Sequence, residues 1–355
     1  MYIIGFTTEI YTQPGNIRFE ILNDDNGLSN NTVNAIEQDS LGFLWFATDY
    51  GVNKYDGYKF NVFTSNPADS FSIPHNKVRA LYTDSQNRLW LGTSGGLSNY
   101  DHRKEQFINY LPEFYVRAFA ESEPGILWLG TSKGLIKFNA ASGNYKHYNL
   151  APDYAEENGK YSIIALAFDY EGYLWIATDG QGVFRFESES ETFKNYSSGN
   201  SANSISSDVV LCVYEDSKKR LWFGTRDGLN LYDRKKDNFV IFNEKKDNIK
   251  SDVIFSITED NNGTLWIGSY KGITRYNIEE NHMIHYTNKL SNPYSISTNL
   301  VRCIFFSNDD ILWIGTRDGG INKYDLHKGM FITYDRHYEN NSNLTSNIIS
   351  CIYEE

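Results

Sequence analysis

Residue types able to do chemistry are spread along this 355-residue chain, and their spacing decides what each could do. Seven histidines, His75, His102, His147, His282, His285, His327 and His337, would serve as acids, bases or metal ligands if they were gathered. They share no repeat position, and His282 and His285, three apart on a strand, fall on opposite faces. Cys212, Cys303 and Cys351 show no zinc-motif spacing. Nucleophile elbows, phosphate loops and paired catalytic carboxylates are likewise missing, so no catalytic or metal residue is assigned and no cofactor is implied. What remains is binding chemistry: Tyr50 and Tyr270 could stack on sugar rings. Arg226, Arg317, Lys133 and Lys271 could bind hydroxyls or acidic groups through charged donors, and Gln181, Asp227 and Asp318 are further ligand-binding candidates at the same turns. The plain alternative is that these are solvated turn residues, with Arg-Asp neighbours neutralising one another.

The elements that carry those turns follow from seven tryptophans. Trp45, Trp90, Trp128, Trp175, Trp222, Trp266 and Trp313 each follow a leucine at a period of roughly 40–50 residues, the mark of a β-propeller. One copy reads as strand A, Val33 to Asp39; strand B, Leu44 to Thr48; strand C, Val52 to Tyr55; and strand D, marked by an aromatic and a second bulky residue three later. That pair is Phe60 and Phe63 in copy one, Met283 and Tyr286 in copy six, Phe331 and Tyr334 in copy seven. The expected fold is therefore all-β, a seven-bladed propeller of four-stranded antiparallel blades with an incomplete eighth repeat at the C-terminus. All seven tryptophans are read as blade packing. The candidate residues occupy the B–C turns, which share one face with the D–A connections around the mouth of the central channel.

Phe19 to Leu22 has the pattern of a strand D with no A, B or C before it, and Ile348 to Glu355 that of a strand A with nothing after it. We therefore expect an N-terminal extension over 1–16, a propeller over 17–334 and the start of an eighth repeat over 335–355, making the chain part of a longer array. The segment 17–22 is expected to close the ring on strand C of copy seven, near Ile321 to Tyr324; the rival arrangement gives that edge to Phe331 to Tyr334. Copy three, shorter and with Glu123-Pro124-Gly125 in its turn, is expected to form a tilted or abbreviated blade.

The cysteines share one repeat position with Ala35, Ala80, Ala118, Ala165 and Ser256, so they read as small fillers on a crowded inner strand. Asp39, Gly42 and Trp45, with two like sets, differ from a sialidase Asp box by one residue and a missing serine, and read as an A–B hairpin turn. A net charge of −12 opposes nonspecific nucleic-acid binding and disfavours a polyanionic glycan, although a local basic patch can coexist with it.

Two stretches, Leu211 to Asp233 and Leu312 to Asp325, resemble the two-component regulator propeller repeat, and Leu-Trp-(aliphatic or Phe)-(Gly or Ala)-(Thr or Ser) recurs in all seven copies. The resemblance implies the non-catalytic periplasmic sensor region of a hybrid two-component regulator. In such proteins two propellers and a β-sandwich domain precede a membrane span and a histidine kinase, oligosaccharides released from glycans are the ligands, and the sensor is a homodimer. The present chain holds no kinase motif and no apolar run able to cross a bilayer, and Met1 to Gln13 lacks the features of a signal peptide. Two further readings stay open: a protein-interaction scaffold, and a lyase-type propeller enzyme, which would need histidines and carboxylates on one face.

Overall fold

Each repeat folds into four antiparallel strands because its strand B is apolar or small at every position and is buried on both sides by neighbouring blades. In the computed structural model, which describes residues 17–150, 162–199, 203–247 and 249–326, seven four-stranded sheets form a propeller. Blade 1 is built of Val33–Gln38, Leu44–Thr48, Gly51–Tyr55 and Phe60–Phe63, in the order A-B-C-D, and blades 2 to 6 repeat it. All seven tryptophans are at most 2% exposed. Trp45 packs into the cluster of Leu81, Leu89, Tyr100 and Phe107 in blade 2, and Trp313 of blade 7 into that of Phe46 and Tyr55 in blade 1, so the core runs unbroken around the ring.

Closure uses the N-terminal strand. Glu20–Leu22 pairs antiparallel with Ile321–Asp325, Leu22 opposite Ile321 and Glu20 opposite Lys323. Phe19 is buried against the rings of Tyr286 and Tyr324. The glycine opening strand C shows that this strand takes the place of a strand D. Gly51 sits at φ +99°, where a Cβ would lie 2.5 Å from the Phe63 carbonyl oxygen, and Gly320, at φ +72°, meets the Leu22 carbonyl in the same way. Phe331 and Tyr334 of the rival arrangement, the expected eighth repeat and extension, Cys351, His327 and His337 lie outside the described residues.

The A–B turn is more than a hairpin. In blade 1 the Asp39 carboxylate accepts from Trp45 Nε1 at 2.7 Å through one oxygen, and from the Leu41 and Phe43 backbone N–H groups through the other. Asp84, Asp169, Asp216 and Asp260 hold their tryptophans in the same way at 2.7–3.0 Å, and Ser307 substitutes for them in blade 7 at 3.2 Å. The unusual backbone angle belongs to the glycine position, with Gly42 at φ +88°, while the aspartate contributes its side chain.

Blade 3 departs from expectation. It keeps four strands and is not abbreviated; its strand A is instead lengthened to Val116–Glu123, with a second register shift between Glu121 and Glu123. Glu121 accepts from Ser85 of blade 2 and from Gly125 N, and the buried Trp128 Nε1 has no partner among the described residues. The Glu-Pro-Gly turn supplies no aspartate at the position that meets the indole.

Candidate functional site

A repeated frame holds the B–C turns. The threonine ending strand B is fully buried in blade 1; its hydroxyl donates to the Gly51 carbonyl at 3.0 Å and accepts from Tyr50 N at 3.0 Å. Thr93, Thr131, Thr178, Thr225 and Ser269 make the same pair of bonds. Backbone bonds then tie each turn to the D–A connections, for example Arg317 N to Leu300 O and Gly51 N to Asn76 O. With the backbone satisfied twice over, the side chain at the turn centre is free to vary.

The expected residues therefore share one face but do not form one cluster. Tyr50 and Tyr270 are 55% and 57% exposed, and neither ring pairs with another among the described residues. Lys271 is engaged by Glu244 at 2.7 Å. Arg317 Nε lies 3.6 Å from Asp318, whose carboxylate also accepts from Thr32 Oγ1 at 2.9 Å, so here the neutralised-pair reading describes the turn. Lys133 Nζ stands over the Phe114 ring at 5.5 Å and its carbonyl meets His147 Nε2, while Gln181 offers its carbonyl to Asn195. Arg226 N is bonded to the Val209 carbonyl. Asp227 lines a cavity of about 320 Å³ with Ser204, Ser206, Lys245 and Asp252.

The same face holds a second set of residues that turn-based reasoning missed. Every strand A has a β-bulge at its second residue, where the register shifts, as between Val33 and Ala35 or Val301 and Cys303. Around the ring the bulged residues are Asn34, Arg79, Arg117, Ile164, Leu211, Phe255 and Arg302. In the sequence this is the column just before the small filler residues, flanked by a β-branched residue on one side and a small one on the other. A run of Asn and Arg followed by a run of bulky apolar residues in such a fixed frame was the available signal.

These side chains interlock at the inner ends of the B–C turns. Arg79 reaches Asn34 Oδ1 at 2.5 Å, Tyr115 Oη at 2.7 Å and Asp49 at 3.3 Å; Asn34 donates to Asp49 and to the Val78 carbonyl. Arg117 donates to Ser162 Oγ at 2.5 Å. Arg302 has no ion-pair or hydrogen-bond partner among the described residues, and burial, then the nearby Arg79, holds its guanidinium below the usual arginine range.

Among the described residues the histidines and cysteines do not gather at the B–C face. His102 is enclosed beside Tyr100 at the opposite end, 3.9 Å from Asp39, while His75 caps Lys77 N and His147 binds a carbonyl. Burial pushes the Cys212 and Cys303 thiols up to about 12, and an added Cβ on Gly224 would strike Cys212, which fits the filler reading. Among the described residues no three His, Cys, Asp or Glu side chains could hold a metal, and no helix is long and apolar enough to cross a membrane.

Comparison with known proteins fits this geometry. Residues 15–50, 72–95, 204–227, 248–271 and 295–318 match the two component regulator propeller family. The chain is similar to the extracellular domain of a Bacteroides thetaiotaomicron protein described as a hybrid two component system. Identity is 29% and the TM-score 0.75, over 87% of this chain and 42% of that one. A 61-residue stretch is 44% identical to histidine kinase P4 of Formosa agariphila, covering 17% of this chain and 4% of the kinase. Virginiamycin B lyase of Staphylococcus aureus shares the fold alone, at 15% identity and a TM-score of 0.66 over 87% of this chain and 99% of the lyase. The chain thus spans less than half the length of the two-component relatives it matches.

Proposed function

Starting from a chain that carries two-component regulator propeller repeats, we propose that it is the non-catalytic sensor propeller of a hybrid two-component regulator, and that its B–C face recognises a glycan-derived oligosaccharide or supports that recognition. The observation that carries this reading is the contrast within the turns: a Thr or Ser frame bonded in the same way in blades 1 to 6, around a centre that differs from blade to blade. Variation on a fixed frame is how a rigid fold changes what it binds. The exposed Tyr50 and Tyr270 supply apolar faces for sugar rings, and Arg226 and Arg317 supply donors for hydroxyls. Likeness to an extracellular domain supports placing the chain in the periplasm. The kinase, the membrane span, the following propeller and β-sandwich and the homodimer belong to the same proposal. Because a ring closed by its own N-terminal strand resists internal closure, signalling would proceed by a shift between subunits.

Calorimetric titration of oligosaccharides from plant, algal and host glycans tests this. Substituting Arg226 and Arg317 together by Ala should leave the melt unchanged and weaken binding; unchanged binding would remove these turns from the site. Binding only by a longer chain carrying the second propeller would make this propeller a supporting element. Silence from both chains would favour the scaffold reading.

A further inference from the structure

The channel mouth on the B–C face is divided into two unlike halves. Blades 7, 1, 2 and 3, consecutive around the ring, place Arg302, Asn34, Arg79 and Arg117 at the strand-A bulge; blades 4, 5 and 6 place Ile164, Leu211 and Phe255 there. Both halves are unusual for their surroundings. On the first, four arginines, counting Arg317 from the adjoining turn, face two carboxylates, Asp49 and Asp318. That is a local excess of two positive charges on a chain whose net charge is −12. On the second, three large apolar side chains are only partly buried and belong to none of the clusters between blades. Core packing therefore does not account for them.

The basic half is also held open. Arg79 is fixed by Asn34, Asp49 and Tyr115, and Arg117 by the Ser162 hydroxyl, leaving guanidinium N–H groups beyond those bonds. Arg302, half-buried beside Arg79 and Arg317 with Asp49 as the nearby carboxylate, makes no ion pair or hydrogen bond among the described residues, so its guanidinium is free to take a ligand. A half-buried, unpaired guanidinium among like charges is a ready seat for an anion, and a carboxylate or sulfate in its fork gains two charge-assisted bonds.

We propose that Arg302, Arg79 and Arg117 form an anion subsite at the channel mouth that takes a carboxylate or sulfate group of the ligand, with Ile164, Leu211 and Phe255 lying across the channel against the apolar part of the same molecule. The ligand class is then an acidic oligosaccharide, uronate-bearing or sulfated, and this rests on the reading that the B–C face binds sugar. The overall negative charge does not oppose it, since the field at a contact less than a Debye length away is set by the local arginines.

The test titrates digalacturonate, a sulfated chondroitin disaccharide and cellobiose into the chain and into Arg302→Gln, Arg117→Gln and, as a control at the opposite end of the blades, the exposed C–D turn variant Arg103→Gln. Circular dichroism establishes that each variant is folded. The expected result is binding of an acidic probe that weakens with salt, falls ~10-fold or more in Arg302→Gln and Arg117→Gln, and changes less than about twofold in Arg103→Gln. Because the chondroitin disaccharide also carries a uronate, binding of it alone assigns the subsite to sulfate, while binding of digalacturonate shows that a carboxylate suffices. Equal affinity for cellobiose, or acidic-probe binding indifferent to Arg302 and Arg117, would overturn the anion subsite while leaving the oligosaccharide reading in place. Should no sugar bind, inorganic sulfate, followed by amide chemical shifts at matched ionic strength, decides separately. Shifts lost in Arg302→Gln would uphold the subsite without the sugar, and no shifts would overturn it.

Discussion

The two ends of each blade are built on opposite rules. At the A–B end a buried carboxylate binds the indole N–H and two backbone N–H groups, and five of seven blades do this with the same residue types at the same spacing. At the B–C end the threonine frame repeats but what it carries does not: Tyr, Lys, Gln, Arg and Asp at the turn centres, Asn, Arg, Ile, Leu and Phe at the bulge. Repetition marks where every blade must solve one packing problem, a buried indole whose N–H needs an acceptor. Variation marks where the fold imposes nothing. Stability should therefore reside at one end and selectivity at the other, which substitutions can separate.

The largest effect is expected where the anchor is removed. Asp260→Ala leaves Trp266 Nε1 and the Asn262 and Thr264 N–H groups without their acceptor, and should cost roughly 2–4 kcal/mol in urea unfolding. Blade 3 sharpens the point. Trp266→Phe takes the indole donor from one oxygen of the buried Asp260 carboxylate, whereas Trp128→Phe breaks no indole bond, so the first should be the more damaging by about 1–2 kcal/mol. Equal losses would reduce the anchor to plain packing.

Next comes Glu37, on the inner strand between the two ends, whose carboxyl burial pushes up to about 8 against a hydrogen bond from Thr83. The folded state holds this proton more tightly than the unfolded one. Stability is therefore full below about pH 4.5, falls as pH rises toward 8 and levels off above it. Glu37→Gln should remove that slope, making the variant the more stable by roughly 2–4 kcal/mol at pH 8.5 and equal to the parent at pH 4. Parallel stability curves for the two proteins would show that Glu37 is not held protonated.

The blade count, strand order and N-terminal closing strand were legible because a tryptophan period and a strand-D pattern, Phe19 and Leu22, survive in the sequence one residue at a time. The Asp39-to-Trp45 bond was not, since a six-residue offset reads as a turn until the hairpin brings carboxylate and indole together. Of the two outcomes expected for blade 3, abbreviation failed for a related reason: a shorter copy need not give a shorter blade, and its strand A in fact lengthened by a second bulge. The positions of the B–C turns were legible because a Thr-to-Gly frame is visible locally. The arginine arc of Arg302, Arg79 and Arg117 was overlooked because these residues lie far apart in the chain and meet only when the ring closes.

The smallest effects belong to the B–C end and are the strictest check on the comparison. Thr225→Val removes the hydroxyl that bonds the Gly228 carbonyl, Asp227 N and Ser206 Oγ, so even here the frame should cost about 1–2 kcal/mol. Tyr270→Ala, one turn further around the ring, touches no frame bond: the backbone N–H bonds the Val253 carbonyl whatever the side chain, and the ring is 57% exposed. Its unfolding free energy should stay within about 0.5 kcal/mol of the parent. A larger loss would mean that the turn centres are structural after all, and the division between a stabilising end and a selective end would fail at the place where it is most clearly drawn.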